Sequence, residues 1–365
     1  MPTATEPGPV HPAPVDSAPV HPASRPLEFL RRRLGWASCA AYAAAAVLPA
    51  PGLWLRHIHG LTVGADLRVG VNTTQILLAS VLFTAALRSC PNALARMLRS
   101  PRILLVGLGL HLTAPLLIIP GIALALRCSP DADGGSGMTA AMILTVAMPV
   151  AAGATVWSGG GRGDEPTILG LVIVSTLISP LTVPATVGAL TPLLSTEYAH
   201  TLSAAARGAG SGFALTGVLL PCAVGIACRL VLPGSVTRAV LPTAALGAVL
   251  ASLALTYVNA SGAIGQFLTH PRPLLLAAGA CTAAAVCGLS FAWGRLAVHA
   301  LRLETRAGTS VTLACGMSNS SAGAVLITTA MPDRPQLLLP VLAYSLLQKL
   351  AANRVMRART TRAAA

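Results

Sequence analysis

Five polar side chains attract attention because each sits inside an apolar run: His111, Thr155, Ser318, Asn319 and Ser320. A hydroxyl or amide walled in by apolar neighbours must find a protein partner or a ligand, since water cannot supply the bond. His111, in Leu108-Gly109-Leu110-His111-Leu112, carries an imidazole whose titration near neutrality suits proton transfer or recognition of an anion. The plainer alternative is a neutral ring bonded to a neighbouring Ser, Thr or carbonyl. The other four follow features that interrupt helices, Met148-Pro149 before Thr155 and Gly316-Met317 before Ser318-Asn319-Ser320. The Ser and Gly residues there also permit close helix packing, but Asn319 demands a partner. This is the chemistry of binding rather than bond breaking. No nucleophile, base and acid gather near one run, and Gly159-Gly160-Gly161-Arg162-Gly163-Asp164 lacks the Lys-Ser/Thr ending of a phosphate loop, reading instead as a tight turn. An enzyme is the weakest reading, and no cofactor is implied.

The elements that hold these residues follow from composition. With 54% hydrophobic residues, 10% charged residues and a mean hydropathy of +0.71, the chain is too apolar for a soluble fold. Apolar runs of about 20 residues recur, each long enough to cross roughly 30 Å of hydrocarbon, and in lipid such runs must be helical. The net charge of +14 does not indicate nucleic acid, because basic residues fall in short clusters between apolar runs and aromatics make up only 4%. The eight cysteines (Cys39, Cys90, Cys128, Cys222, Cys228, Cys281, Cys287 and Cys315) form no CxxC pair and read as packing residues, with no metal site.

Ten spans are expected: Trp36–Trp54, Val71–Leu87, Ile103–Leu126, Met138–Ser158, Thr167–Leu194, Gly210–Leu232, Ala239–Val258, Leu274–Val298, Thr309–Ala330 and Gln336–Ala352. Residues 1–34 form a Pro/Ala-rich tail with too little to bury, and 354–365 a basic tail. Arg31-Arg32-Arg33 before an Ala-rich stretch resembles a signal peptide, but nine further spans favour an uncleaved first span. With the N-terminus inside, 19 Lys and Arg residues, Lys349 among them, fall on cytoplasmic segments and 6 on outer ones. That bias places both termini in the cytoplasm of a bacterial-type inner membrane.

A shift of 169 residues lays Met148 on Met317, Asp164 on Asp333 and Pro166 on Pro335. Two five-span repeats, 35–195 and 196–353, therefore run in opposite senses through the bilayer, and their fourth and ninth spans are broken. Inverted repeats with interrupted helices belong to alternating-access carriers, in which free backbone dipoles face a substrate at the midplane.

Arg162–Pro184, Ile76–Leu117 and Gly316–Leu350 resemble the bile acid:sodium symporter superfamily over nearly the whole chain after the tail. The resemblance implies an all-α fold of ten spans, in which a panel of the first, second, sixth and seventh supports a core whose broken fourth and ninth spans cross. It also implies sodium sites, and here the chain departs from the pattern. The family's Ser-Asn pair in the fourth span falls on Ala154 and Thr155, and two fifth-span hydroxyls fall on Ile168 and Val172. The ninth-span glutamate and glutamine fall on Ala314 and Ser318, and a third-span glutamine on His111. None of the 11 acidic residues lies within a span core. Sodium needs several oxygens, so coupling at the usual sites is not expected.

The leading expectation is a carrier for a small organic anion, its site lined by Asn319, Ser318, Thr155, Ser320 and His111, with His111 a candidate for proton coupling. Its partners are that small molecule and the bilayer, with no nucleic acid. Val156-Trp157-Ser158 is similar to arsenite exporters of the same superfamily, but their cysteine after the proline is Val150 here, leaving Cys315 as the one thiol on a broken span. A receptor that kept the fold without moving its ligand is a further alternative.

Overall fold

The computed structural model describes residues 23–56, 59–63, 67–71, 73–89, 101–127, 135–158, 163–208, 219–269, 273–331, 334 and 337–358. Among the described residues it is helical apart from one hairpin. In chain order the elements are α1 (Ser24–Arg32), α2 (Leu34–Val47), α3 (Pro49–Arg56), β1 (His59–Val63), β2 (Leu67–Val71), α4 (Thr73–Arg88), α5 (Arg102–Leu126), α6 (Ser136–Val146) and α7 (Ala154–Ser158). They continue with α8 (Glu165–Leu190), a 3₁₀ turn at Thr191–Leu193, α9 (Thr196–Gly208), α10 (Leu220–Val231), α11 (Gly234–Thr269), α12 (Pro273–Ala300), α13 (Thr305–Gly316), α14 (Ser320–Ala330) and α15 (Leu338–Ala358).

Four described helices are long and apolar enough to cross a membrane: α5, α8 with its 3₁₀ turn, α11 and α12. The chain is a multi-pass membrane protein. The expected first span is bent by 96° between α2 and α3. Leu48 precedes Pro49, whose ring bars it from the helical region, and it adopts φ −129° and ψ 71°. The expected fourth and ninth spans are each two helices with an extended segment between them. Val71 ends a strand, so the second span starts at Thr73 instead. The seventh extends well beyond its expected bounds, and the tenth runs on to Ala358. The first part of the sixth span, residues 1–22 of the expected tail, and Asp333 and Pro335 of the repeat lie outside the described residues.

Two segments outside the ten expected spans are helical. Residues 24–32 form α1, with Leu27 and the following Leu34 buried on one face, so the tail is not unstructured throughout. Residues 196–208 form α9, where Tyr198, Leu202 and Ala206, spaced by four, are buried, and the helix packs on α8, α14 and α6.

The helices pack in two groups. In one, α11 contacts α1, α2, α3 and α4, and α4 contacts α10. In the other, α5, α6, α8, α12, α13, α14 and α15 pack on one another, with α9 on α8 and α14. This is the division into panel and core that the resemblance implied. Contacts between the groups run from α15 to α2 and α11, from α4 and α11 to the short α7, from α4 to the head of α8, and from α11 to the start of α14. Most of the outward face is apolar, as lipid contact requires: Leu105, Leu117, Leu124, Leu181, Leu230, Val231, Leu274 and Leu296 are all exposed.

Candidate functional site at the helix crossing

Two interruptions meet at the centre of the second group. α6 ends at Val146, before a proline that cannot donate a helical hydrogen bond; the chain bends, is extended around Val150, and turns at Ala152–Gly153 into α7, which begins at Ala154. α13 ends at Gly316, and Met317 (φ −116°, ψ 90°) leads into the next helix at Ser320. The two extended segments pair as an antiparallel bridge, Val150 opposite Ser318. The Ala151 N–H donates to the Met317 carbonyl at 2.8 Å, and the Asn319 N–H to the Pro149 carbonyl at 2.9 Å. The Val150 N–H finds the Ser175 hydroxyl of α8 at 3.1 Å. Gly316 is required there, because a Cβ would lie 2.4 Å from the Phe291 ring.

His111 joins both interruptions. Its Nε2 lies 3.1 Å from the Met148 carbonyl, just past α6, and its Nδ1 lies 3.0 Å from the Ala314 carbonyl, in the last turn of α13. Both are oxygens that a broken helix leaves without a helical donor. A neutral imidazole offers one N–H and an imidazolium two, so both carbonyls are met only by the charged ring. Trp293 Nε1 of α12 donates to the neighbouring Leu110 carbonyl at 3.2 Å.

Ser318 and Asn319 stand in the bridge itself, and Ser320 opens α14. The Asn319 amide finds its partner as the cap of that helix, its Oδ1 accepting from the Ala322 N–H at 3.3 Å. Ser320 accepts from Gln348 Nε2 of α15 at 3.2 Å. Thr155 is on α7 and donates to the Ala152 carbonyl of its own turn at 2.8 Å. It also lines a small cleft between the two groups, with Thr84 and Arg88 of α4, Glu165 at the head of α8, and Ala248 of α11. So the structure brings His111, Ser318, Asn319 and Ser320 to the crossing and puts Thr155 on a cleft beside it.

The Gly-Asp motif has a structural role. Asp164 caps α8 by accepting from the Thr167 N–H at 3.1 Å and from the Thr167 hydroxyl. The Ser310 hydroxyl accepts from the Asp164 N–H at 2.9 Å and donates to its carbonyl at the same distance, fixing α13 to the start of α8.

Sequence reasoning missed three features. Lys349, tallied with cytoplasmic loop charges, lies midway along α15, and its Nζ donates to Thr256 of α11 at 2.7 Å. A lysine inside the expected tenth span, followed by Leu350-Ala351-Ala352, was the signal. Asn259 of α11 donates to Ser321 of α14 at 2.7 Å. Finally, Arg88 pairs with Glu165 at 2.6 Å, joining α4 to α8. Arg31 of α1 stands near that pair. Burial, then the Arg88 charge, pull its guanidinium down to about 10, while Glu165 acts against both. Cys315 is buried with its side chain toward Gly294, and Val150 occupies the bridge, so no thiol follows the fourth-span proline.

No curated protein matches the chain. The Sodium Bile acid symporter family matches residues 75–270, which run from α4 through α11 and include the first of the two interruptions. That match covers more than half of the sequence, and the chain belongs to the Sodium Bile acid symporter family.

Proposed function

We propose that the protein is a secondary transporter that moves a small organic anion by alternating access, the two helix groups shifting relative to one another, without sodium at the family's usual sites. The observation that carries this reading is the crossing, where extended backbone from two broken helices meets beside a seam between helix groups. Irregular backbone at such depth is tolerated where it serves a site. The start of α14 turns backbone N–H groups toward that region, the end of a helix that favours negative charge.

The positions that would hold sodium do not fit it. Ile168 and Val172 are buried and apolar where oxygens are expected, and Ala154 and Ala314 bring no side-chain ligand. The Met148 and Ala314 carbonyls face His111 instead. We assign coupling to a proton held by that ring. No described carboxylate bonds to it. Among the elements packed on α5, α6 has no titratable side chain, and α13 has Cys315, turned to Gly294, and exposed Arg306. α12 has buried Cys287 and exposed Cys281, Arg295 and His299, and α8 has Glu165, already paired with Arg88.

Reconstitution into proteoliposomes tests the reading. Uptake of a small carboxylate should be saturable, respond to an imposed pH gradient, and be unchanged when sodium replaces potassium. Saturable binding with no movement across the bilayer would establish a receptor instead, and sodium-dependent uptake sensitive to substitution of Thr155 or Ser318 would remove the sodium-free part.

A further inference from the structure

α1 has two faces, and α2 continues both. Leu27, Arg31, Leu34 and Ser38 follow one another at helical spacing on the inner side, where the leucines and Ser38 are buried and Arg31 is half-buried. Arg25, Phe29, Arg32 and Trp36 follow at the same spacing on the outer side, and all four are exposed. Arg33, also exposed, joins the outer face, its guanidinium carbon 5.1 Å from the centre of the Phe29 ring.

The outer row changes character at Trp36. Before it stand arginines around one aromatic ring. After it, Ala40, Ala43 and Val47 prolong the row, every one apolar and exposed. A row that passes from arginine through tryptophan to aliphatic side chains follows the profile of a leaflet from headgroups to hydrocarbon. Phe29 and Trp36 are 57% and 72% exposed, a large aromatic surface for water to cover. α2 is the first part of the bent span, so the row enters lipid within a turn of its last arginine, which favours lipid over a soluble protein as the occupant.

Charge completes the match. Residues 24–33 carry Arg25, Arg31, Arg32 and Arg33 against the one carboxylate of Glu28. Glu28 meets Arg32 at 4.0 Å with both side chains largely exposed, so that pair holds the guanidinium only weakly. The inner face leads elsewhere. Arg31 stands by the Arg88–Glu165 pair that spans the helix groups, and its Nε is buried without a hydrogen-bond partner.

We propose that the outer face of α1 is a binding surface for anionic phospholipid headgroups: Arg25, Arg32 and Arg33 meet the phosphates, and Phe29 and Trp36 settle at the edge of the hydrocarbon. Bound lipid fixes α1 against the bilayer and holds Arg31 at the Arg88–Glu165 pair, so the charge of the leaflet acts on a contact between the two helix groups.

Lipid titration of the purified full chain in zwitterionic detergent tests the surface, with phosphatidylglycerol against phosphatidylcholine, read by thermal shift and native mass spectrometry. Phosphatidylglycerol should be held about tenfold or more tightly than phosphatidylcholine. R25Q/R32Q/R33Q should reduce that preference by about tenfold or more, whereas R357Q/R359Q/R362Q, which removes equal charge near the C-terminus, should leave it unchanged. E28Q keeps every arginine and should strengthen phosphatidylglycerol binding by roughly threefold or more, a gain that misfolding cannot mimic. Equal retention of the two lipids, a preference that survives the α1 substitutions, or one that the C-terminal substitutions remove as well overturns the surface. Uptake in vesicles of the two lipids tests the link inward. R31Q should keep the lipid preference and lose any dependence of uptake on phosphatidylglycerol; a dependence that persists in R31Q overturns the link. The surface does not rest on the transporter reading: selective lipid binding without uptake in any vesicle upholds the one and ends the other.

Discussion

Val150 and Ser318, 168 residues apart in the chain, face each other as an antiparallel pair whose hydrogen bonds are made by their neighbours rather than by themselves. That is the closer of the two antiparallel pairings, with Cα atoms about 4.5 Å apart and side chains adjacent. The interruptions in the two helices therefore satisfy one another. Neither extended segment could persist alone at that depth, because its backbone groups would be unpaired.

The pairing predicts a cross-link. A V150C/S318C protein should form a disulfide on mild oxidation, since the expected separation lies at the short end of disulfide geometry. Mass spectrometry of the oxidised protein checks it, with V150C alone as the control. Absence of the link under conditions that oxidise an exposed thiol pair would contradict the crossing.

His111 should hold the crossing together. Its replacement by leucine leaves the Met148 and Ala314 carbonyls without donors, at a cost on the order of 2–4 kcal/mol. H111Q, whose amide can serve one of them, should lose about half as much. Thermal unfolding in detergent would read the order wild type, H111Q, H111L.

The same ring predicts a pH dependence. Uptake coupled to a proton on this ring depends on pH through the ring's titration, the charged form bonding two carbonyls and the neutral form one. H111Q should abolish the response of uptake to an imposed pH gradient. A wild-type pH profile of uptake identical to that of H111Q would exclude proton coupling here.

The Arg88–Glu165 pair should restrain movement between the helix groups. Both side chains are about a quarter exposed, so the pair contributes only about 1 kcal/mol. R88M should lower the melting temperature slightly while altering transport more, and the exchange R88E/E165R should recover part of both. An R88M protein with wild-type kinetics would remove the latch.

Gly316 should tolerate no side chain. G316A drives a methyl into the Phe291 ring, an overpacking cost of about 1–3 kcal/mol, whereas G109A meets open space and should be nearly neutral.

The sequence alone determined that this chain lives in a bilayer and that its fourth and ninth spans break, because both follow from local chemistry. Apolar runs of spanning length have no other solvent, and Met148-Pro149 and the Gly316–Ser320 stretch cannot continue a helix smoothly. It also singled out His111 and the polar residues of the ninth span, since polar groups in apolar runs are visible one residue at a time. What it could not decide was partnership. The carbonyls that receive the His111 ring come from residues 37 and 203 positions away, backbone atoms that every residue has and no motif marks. Lys349 was mistaken for a loop charge because a basic residue near an expected span end reads as an anchor; only the packing of α15 against α2 and α11 holds it at the seam, facing a hydroxyl instead of water. Helical periodicity reveals which residues share a face, but the neighbour across that face is chosen by tertiary contacts between segments hundreds of residues apart.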